Sequence, residues 1–192
     1  MANVNDFIAA LKEGGARANQ FEVNITGAPV TLPQEFRFLC KASSIPALTV
    51  PEIEVNYRGR KIYVAGDRTF DTWAITVVSD RDQLMRGAFE EWQNHLSDLG
   101  AVSNRSQIGE VPSRYYSDAI VKQKDRNDGT LRTYRLMDCW PTTVDAIEYS
   151  HDTENTILEF GVTFRFNYMT VVGSSTGQLG IAGGAVGGNP HR

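Results

Sequence analysis

Alternation of apolar and polar residues dominates this chain, and it predicts strands over most of its length. Phe21, Val23 and Ile25 point one way against Glu22 and Asn24, the mark of a half-buried strand. Phe36, Phe38 and Cys40 alternate with Arg37 and Lys41 in the next, and Pro46 and Pro51 bracket an irregular connection because proline cannot donate to a ladder. Ile53, Val55 and Tyr57 against Glu52, Glu54 and Asn56, a turn at Arg58-Gly59-Arg60, and a return through Ile62 and Val64 predict a hairpin. A strand over Phe70 to Ser79 follows, with Trp73, Ile75 and Val77 on one face. Further strands fall around Ala119 to Val121 and from Thr130 to Met137, separated by the tight-turn sequence Asn127-Asp128-Gly129. After a short strand at Ala146 to Tyr149, the clearest of all runs from Leu158 through Phe160, Val162, Phe164 and Phe166 to Tyr168, a long antiparallel strand with one apolar face.

The period changes to that of a helix in two places. Near the start, Asn5 caps a short helix with Phe7, Ile8 and Leu11 on one face, and Gly14-Gly15 stops it. The better helix begins at Asp80 with Gln83 in a capping-box arrangement, carries the stripe Leu84, Met85, Ala88, Phe89, Trp92, Leu96, Leu99, and ends at Gly100. Such a stripe has to be laid on a sheet or a barrel end, and Trp73 and Trp92 are expected to be buried, one in the sheet and one beneath it. The predicted class is therefore mainly β, an antiparallel β-sandwich or barrel with one packed α-helix. Residues 1–172 are read as one domain and 173–192, with seven glycines and no acid, as a flexible tail.

Composition narrows the function. A chain of 192 residues that is 41% hydrophobic and 22% charged has enough apolar residues for a core and is not disordered throughout. A net charge of −4 argues against a protein that grips nucleic acid by its phosphates. The first fifteen residues have no basic flank before an apolar stretch, and no apolar run approaches the ~20 residues of a membrane span, so a soluble cytoplasmic product is expected. Cys40 and Cys139 are far apart without metal-ligand spacing and read as buried free thiols.

Catalytic chemistry does not emerge from the residues. His95 and His151 read as surface histidines, His191 falls in the flexible tail, and there is neither a nucleophile elbow nor a phosphate-binding loop. The tail sequence GQLGIAGG follows a strand but leads into no helix, so it is not a dinucleotide loop. Glu90-Glu91 lies on a solvated helix face, and Glu52 and Glu54 share one strand rather than facing each other across a cleft. No cofactor is expected, and binding or assembly is favoured over catalysis.

One block is denser in specific residues than a strand pair requires. GRKIYVAGDRTFDTW, from Gly59 to Trp73, preceded by Cys40-Lys41-Ala42-Ser43-Ser44-Ile45-Pro46, resembles the tail tube proteins of contractile-tailed phages. The resemblance continues through Phe89, Trp92 and Gln93, the strand Ser117 to Val121, Trp140-Pro141-Thr142, and the alternating run Thr156 to Tyr168. It departs from the family in the polar loop 101–113 and the glycine-rich tail.

The resemblance implies a structural virion protein whose copies close into hexameric rings, and rings that stack into the inner tube of a contractile tail along which DNA passes. Implied partners are other copies of itself, the tail sheath, baseplate and tail terminator proteins, the tape measure protein, and transiting DNA without specific binding. Assembly would take place in the host cytoplasm. Similar tubes occur in tailocins and type VI secretion machines, which deliver effectors and are the alternative reading; a carbohydrate-binding β-sandwich is a more distant one. Lys61, Asp67, Arg68 and Asp71 are the candidate subunit-interface residues. They supply both signs of charge beside a hairpin suited to reaching a neighbour. An acidic balance also suits a wall past which DNA slides, since basic contacts would act as brakes.

Overall fold

The computed structural model describes residues 3–11, 16–96, 112–152, 154 and 156–172. A short helix α1 (Val4–Ala10) leads to strand β1 (Phe21–Thr26), a single helical turn α2 (Phe36–Leu39) and β2 (Cys40–Ser43). Then come β3 (Leu48–Thr49), the hairpin β4 (Glu52–Tyr57) and β5 (Arg60–Ala65), β6 (Thr69–Phe70) and β7 (Trp73–Val78). Helix α3 (Leu84–Leu96) is followed, beyond residues outside the described set, by a short 3₁₀ turn Pro112–Arg114 and β8 (Ser117–Lys124). The long strand β9 (Thr130–Val144), β10 (Glu159–Arg165) and β11 (Tyr168–Val172) complete the order.

All pairings are antiparallel, and β9 is shared by two sheets. Its first part lies between β8 and β11, with β1 outside β8; its last part pairs β10, which pairs β7, which pairs β2. The inward faces of both sheets meet in one core containing Val23, Val121, Leu136, Trp73, Val77, Val162 and Phe164. Helix α3 lays Met85, Ala88, Phe89 and Trp92 against that core, as an amphipathic helix beside an apolar sheet face must. Phe89 meets Phe36, Phe160 and Phe164 at 5.9, 6.3 and 6.0 Å, and Trp73 meets Phe164 at 4.9 Å. Both tryptophans are fully buried, as expected, and both indoles are bonded: Trp73 Nε1 donates to Ser43 Oγ and Trp92 Nε1 to the Tyr115 carbonyl, each at 3.1 Å. Cys40 and Cys139 are buried free thiols, and burial pushes both up to about 12, leaving almost no thiolate near neutrality.

The corner between the sheets explains where simple alternation fails. The run from Leu158 to Tyr168 predicts one continuous apolar face, but the inward phase slips by one residue at Asn167. Phe164 and Phe166 are buried, yet Tyr168 is exposed and Met169 and Val171 turn inward instead. The ladder with β9 keeps the same register on both sides of the break, from Phe164↔Pro141 to Tyr168↔Met137. Strand β9 slips at the facing position, with Leu136 and Cys139 both buried although three residues apart. The shared cause is Asp138, at φ +57°, whose carboxylate accepts a 3.0 Å bond from Asn167 Nδ2 while Asn167 N–H donates to the Met137 carbonyl at 3.1 Å. Aspartate tolerates the left-handed region and a β-branched residue does not. Asp138→Val should therefore lower stability by about 1–3 kcal/mol, with Asp138→Asn close to neutral, in paired denaturant titrations. Equal midpoints would show that the corner is held elsewhere.

Four other expectations change. Phe36 to Leu39 form a helical turn, not a strand, because the N–H groups of Phe38 and Leu39 both bond to Glu35 O. That turn sends Phe36 into the core and leaves Phe38 74% exposed beneath the Arg37 guanidinium. Helix α3 starts at Leu84 rather than beside Asp80. The Asp80 carboxylate still caps it, accepting from the N–H groups of Leu84 and Met85 at 3.2 and 3.3 Å, but Gln83 sits at φ +53° and closes no capping box. Leu84 consequently leaves the buried stripe and is exposed. Residues 146–149 form no strand. α1 begins at Val4 behind Asn3, so Asn5 lies inside the helix rather than capping it. The glycine stops expected at Gly14-Gly15 and Gly100, together with Leu99, most of the loop 101–113 and the tail 173–192, lie outside the described residues.

Candidate assembly surface

The β4–β5 hairpin forms as its sequence predicts. Arg58 at φ +49° and Gly59 at φ +80° make the two-residue turn whose twist matches paired strands, with glycine at the second of its two left-handed positions. The strands pair from Glu52↔Ala65 to Tyr57↔Arg60. At the base, Gly66 N–H donates to the Pro51 carbonyl at 2.7 Å, and a Cβ on Gly66 would lie 2.9 Å from that oxygen. The glycine serves close approach of two chain segments rather than a left-handed turn.

Every one of the six residues in each strand is exposed. The alternation nevertheless sorts them into two faces. Ile53, Val55, Tyr57, Ile62 and Val64 share one, each 45–57% exposed, with Arg60 at its turn end, while Glu52, Glu54, Asn56, Lys61, Tyr63 and Ala65 lie on the other. An isolated two-stranded hairpin is marginal in water, and this one carries an apolar face on which no described residue packs.

The four interface candidates sit on and beside this hairpin. Lys61 Nζ bonds the Glu54 carboxylate across the strands, with its nearest oxygen at 2.9 Å, so part of its charge is used within the chain. Asp71 accepts from Thr72 N–H at 2.8 Å, a local turn bond that leaves it exposed. Asp67 and Arg68 lie exposed between β5 and β6, and among the described residues neither side chain has a hydrogen bond or ion pair. The structure thus brings Lys61 together with Glu54 rather than with Asp67, Arg68 or Asp71.

Unpaired sheet edges complete the surface. Strands β1 and β2 end the strand path, β11 pairs only β9, and no described strand covers their outer edges. Alternation alone cannot reveal this, since an edge strand and a central one share the same pattern. The outer end of β1 is tied by charge: Lys124 Nζ reaches Glu22 at 2.8 Å and Asp128 at 2.9 Å. The Lys124 hydrogen bond holds the Glu22 carboxyl below its usual range. This tie therefore acts above the unfolded carboxylate range and is lost as pH falls through the lowered value. Among the described residues no three His, Cys, Asp or Glu side chains gather to hold a metal. No described helix is long and apolar enough to cross a membrane.

A small antiparallel β domain with open edges and a bare amphipathic hairpin defines a subunit made to join others. Comparison with known proteins gives the class its family. The phage tail tube protein family matches residues 16–171, and the chain belongs to that family. It is 37% identical over 167 residues to the tail tube protein gp19 of Enterobacteria phage T4, covering 86% of this chain and 98% of that one. It is 26% identical over 172 residues to the tail tube protein of Serratia phage KSP90, covering 86% and 95%. In fold it is similar to a chain of the sheath-tube complex of an extracellular contractile injection system, PVC, at TM-score 0.62 and 11% identity over 91% of this chain and 100% of that one. A chain of the anti-feeding prophage baseplate gives TM-score 0.63 at 13% identity, over 82% and 95%. The protein is a structural tail tube component, not an enzyme.

Proposed function

We propose that six copies close into a ring and that rings stack into the inner tube of a contractile phage tail, the conduit for DNA during ejection. The observation that carries this reading is the β4–β5 hairpin, twelve exposed residues with an apolar face that no described residue covers. A heterologous contact that closes by rotation makes a ring, and a second such contact makes a stack. The open edges of β1, β2 and β11 offer main-chain donors and acceptors for pairing between copies, a hazard in a monomer that assembly turns to use. Sheath, baseplate, tail terminator and tape measure proteins are the further partners on this reading, with assembly in the host cytoplasm. Sequence relatives from phages favour DNA as the cargo over the effectors of a secretion machine. Residues 1–172 form the tube unit, with 173–192 appended. Rings or tubes of purified protein under the electron microscope are the expected result; a strict monomer at high concentration overturns the reading.

Lys61, Asp67, Arg68 and Asp71 act at the contact between copies. Arg68→Glu should shorten or abolish tubes while moving the monomer's stability by less than about 1 kcal/mol, because an exposed side chain without an intrachain partner adds little to the fold. Tube length by microscopy and monomer melting temperature, measured on the same preparations, check this. A variant that melts early but still forms normal tubes would place Arg68 in the domain's own framework.

A further inference from the structure

We infer that the apolar face of the β4–β5 hairpin of one copy docks on helix α1 of a neighbouring copy. Among the described residues helix α1 is another bare amphipathic surface. Val4, Phe7, Ile8 and Leu11 recur at helical spacing on one side, and none is covered: Phe7 and Ile8 are 65% and 61% exposed. Asp6, the one charged residue of the helix, falls on the opposite side. Both this face and the hairpin face stay exposed within one chain, so neither packs on the other inside a subunit.

The two surfaces match in size and in their apolar character. Both are mainly aliphatic, each with one aromatic residue, Phe7 on the helix and Tyr57 on the hairpin, and the hairpin face carries one cation, Arg60, at its turn end opposite Tyr57. At these exposures and the ~150–250 Å² that an aromatic side chain can bury, each face offers roughly 400 Å² of apolar surface. The described helix is about 10 Å long and the hairpin strands about 20 Å, so a helix laid along the two-stranded ribbon does not overrun its ends.

A contact of roughly 800 Å² in total falls short of the ~1,200 Å² of a stable standard interface. It therefore suits a repeated contact within a larger assembly better than a free-standing dimer. Every copy carries one face of each kind, so a homopolymer in which each subunit gives a hairpin and receives one covers both, without a second kind of protein. This inference rests on the self-assembly reading above.

The test uses two full-length variants, Phe7→Cys and Val55→Cys, mixed in equal amounts, assembled and gently oxidised. The native thiols are buried and stay silent. Disulfide formation requires Cα atoms within about 7 Å, so a covalent dimer reports direct contact. The expected result is a dimer in the mixture, well above either variant alone, with Ile8→Cys and Ile62→Cys as a second pair. Tubes that form with neither pair cross-linking overturn the inference and leave self-assembly standing. A native chain that never assembles overturns both. Should the variants fail to fold, hydrogen exchange on the native chain decides: amides of residues 4–10 slowed at least tenfold in tubes support the docking, and unchanged exchange refutes it.

Discussion

Truncating Trp92 to alanine is expected to destabilise the subunit by about 3–5 kcal/mol, the largest effect of any single substitution considered for the isolated chain. The side chain is fully buried, lies 6.0 Å from the Phe164 ring, and bonds the Tyr115 carbonyl through its indole N–H. Alanine would leave a cavity between α3 and the sheets and strip that carbonyl of its donor, so the transfer, cavity and hydrogen-bond losses act together. Leu84→Ala on the same helix is the control. Its side chain is 59% exposed, and its loss should stay within about 0.5 kcal/mol. Urea titrations of both variants beside the parent make the comparison. If Trp92→Ala unfolds at the parental midpoint, the helix does not seal the core as the packing indicates.

The second large effect concerns assembly rather than folding. Val55→Asp should abolish rings and tubes and leave the monomer's melting temperature within a degree or two of the parent. Val55 faces Ile62 at the middle of the hairpin's apolar side and is about half exposed in the single chain, so a carboxylate there remains hydrated. Once a neighbour covers that face, the charge is taken out of water among Ile53, Ile62 and Val64, with Arg60, diagonal to it at the turn end, the one cation on the face to offset part of the cost. An uncompensated buried charge costs about 3–5 kcal/mol, and the penalty recurs at each copy of the contact. Sedimentation at increasing concentration, with microscopy of the fastest material, reads the outcome. Normal tubes built from Val55→Asp subunits would mean that the hairpin's apolar face is not an interface, whatever its exposure.

What the residues alone determined lies at short range. Two-residue and helical periods located the hairpin, β7, β8, part of β9 and most of β10, and the helix bearing Trp92, because each of these elements has one apolar and one polar face. Arg58-Gly59 and Asn127-Asp128-Gly129 marked their turns through local backbone preference, and the density of specific residues from Gly59 to Trp73 pointed to the family. Period says which residues share a face, however, and not what covers it. The hairpin and α1 show the same periods as core elements, yet both are bare, and only the tertiary arrangement reveals that no described residue covers them. Tertiary structure likewise decided the corner. A left-handed Asp138 opposite Asn167 slips both strands by one residue at once, so Tyr168 turns outward although its position in the alternation points in. Phe36 and Phe38 divide between core and solvent for a similar reason: bonds to Glu35 O wind that stretch into a turn, where positions two apart no longer face the same way.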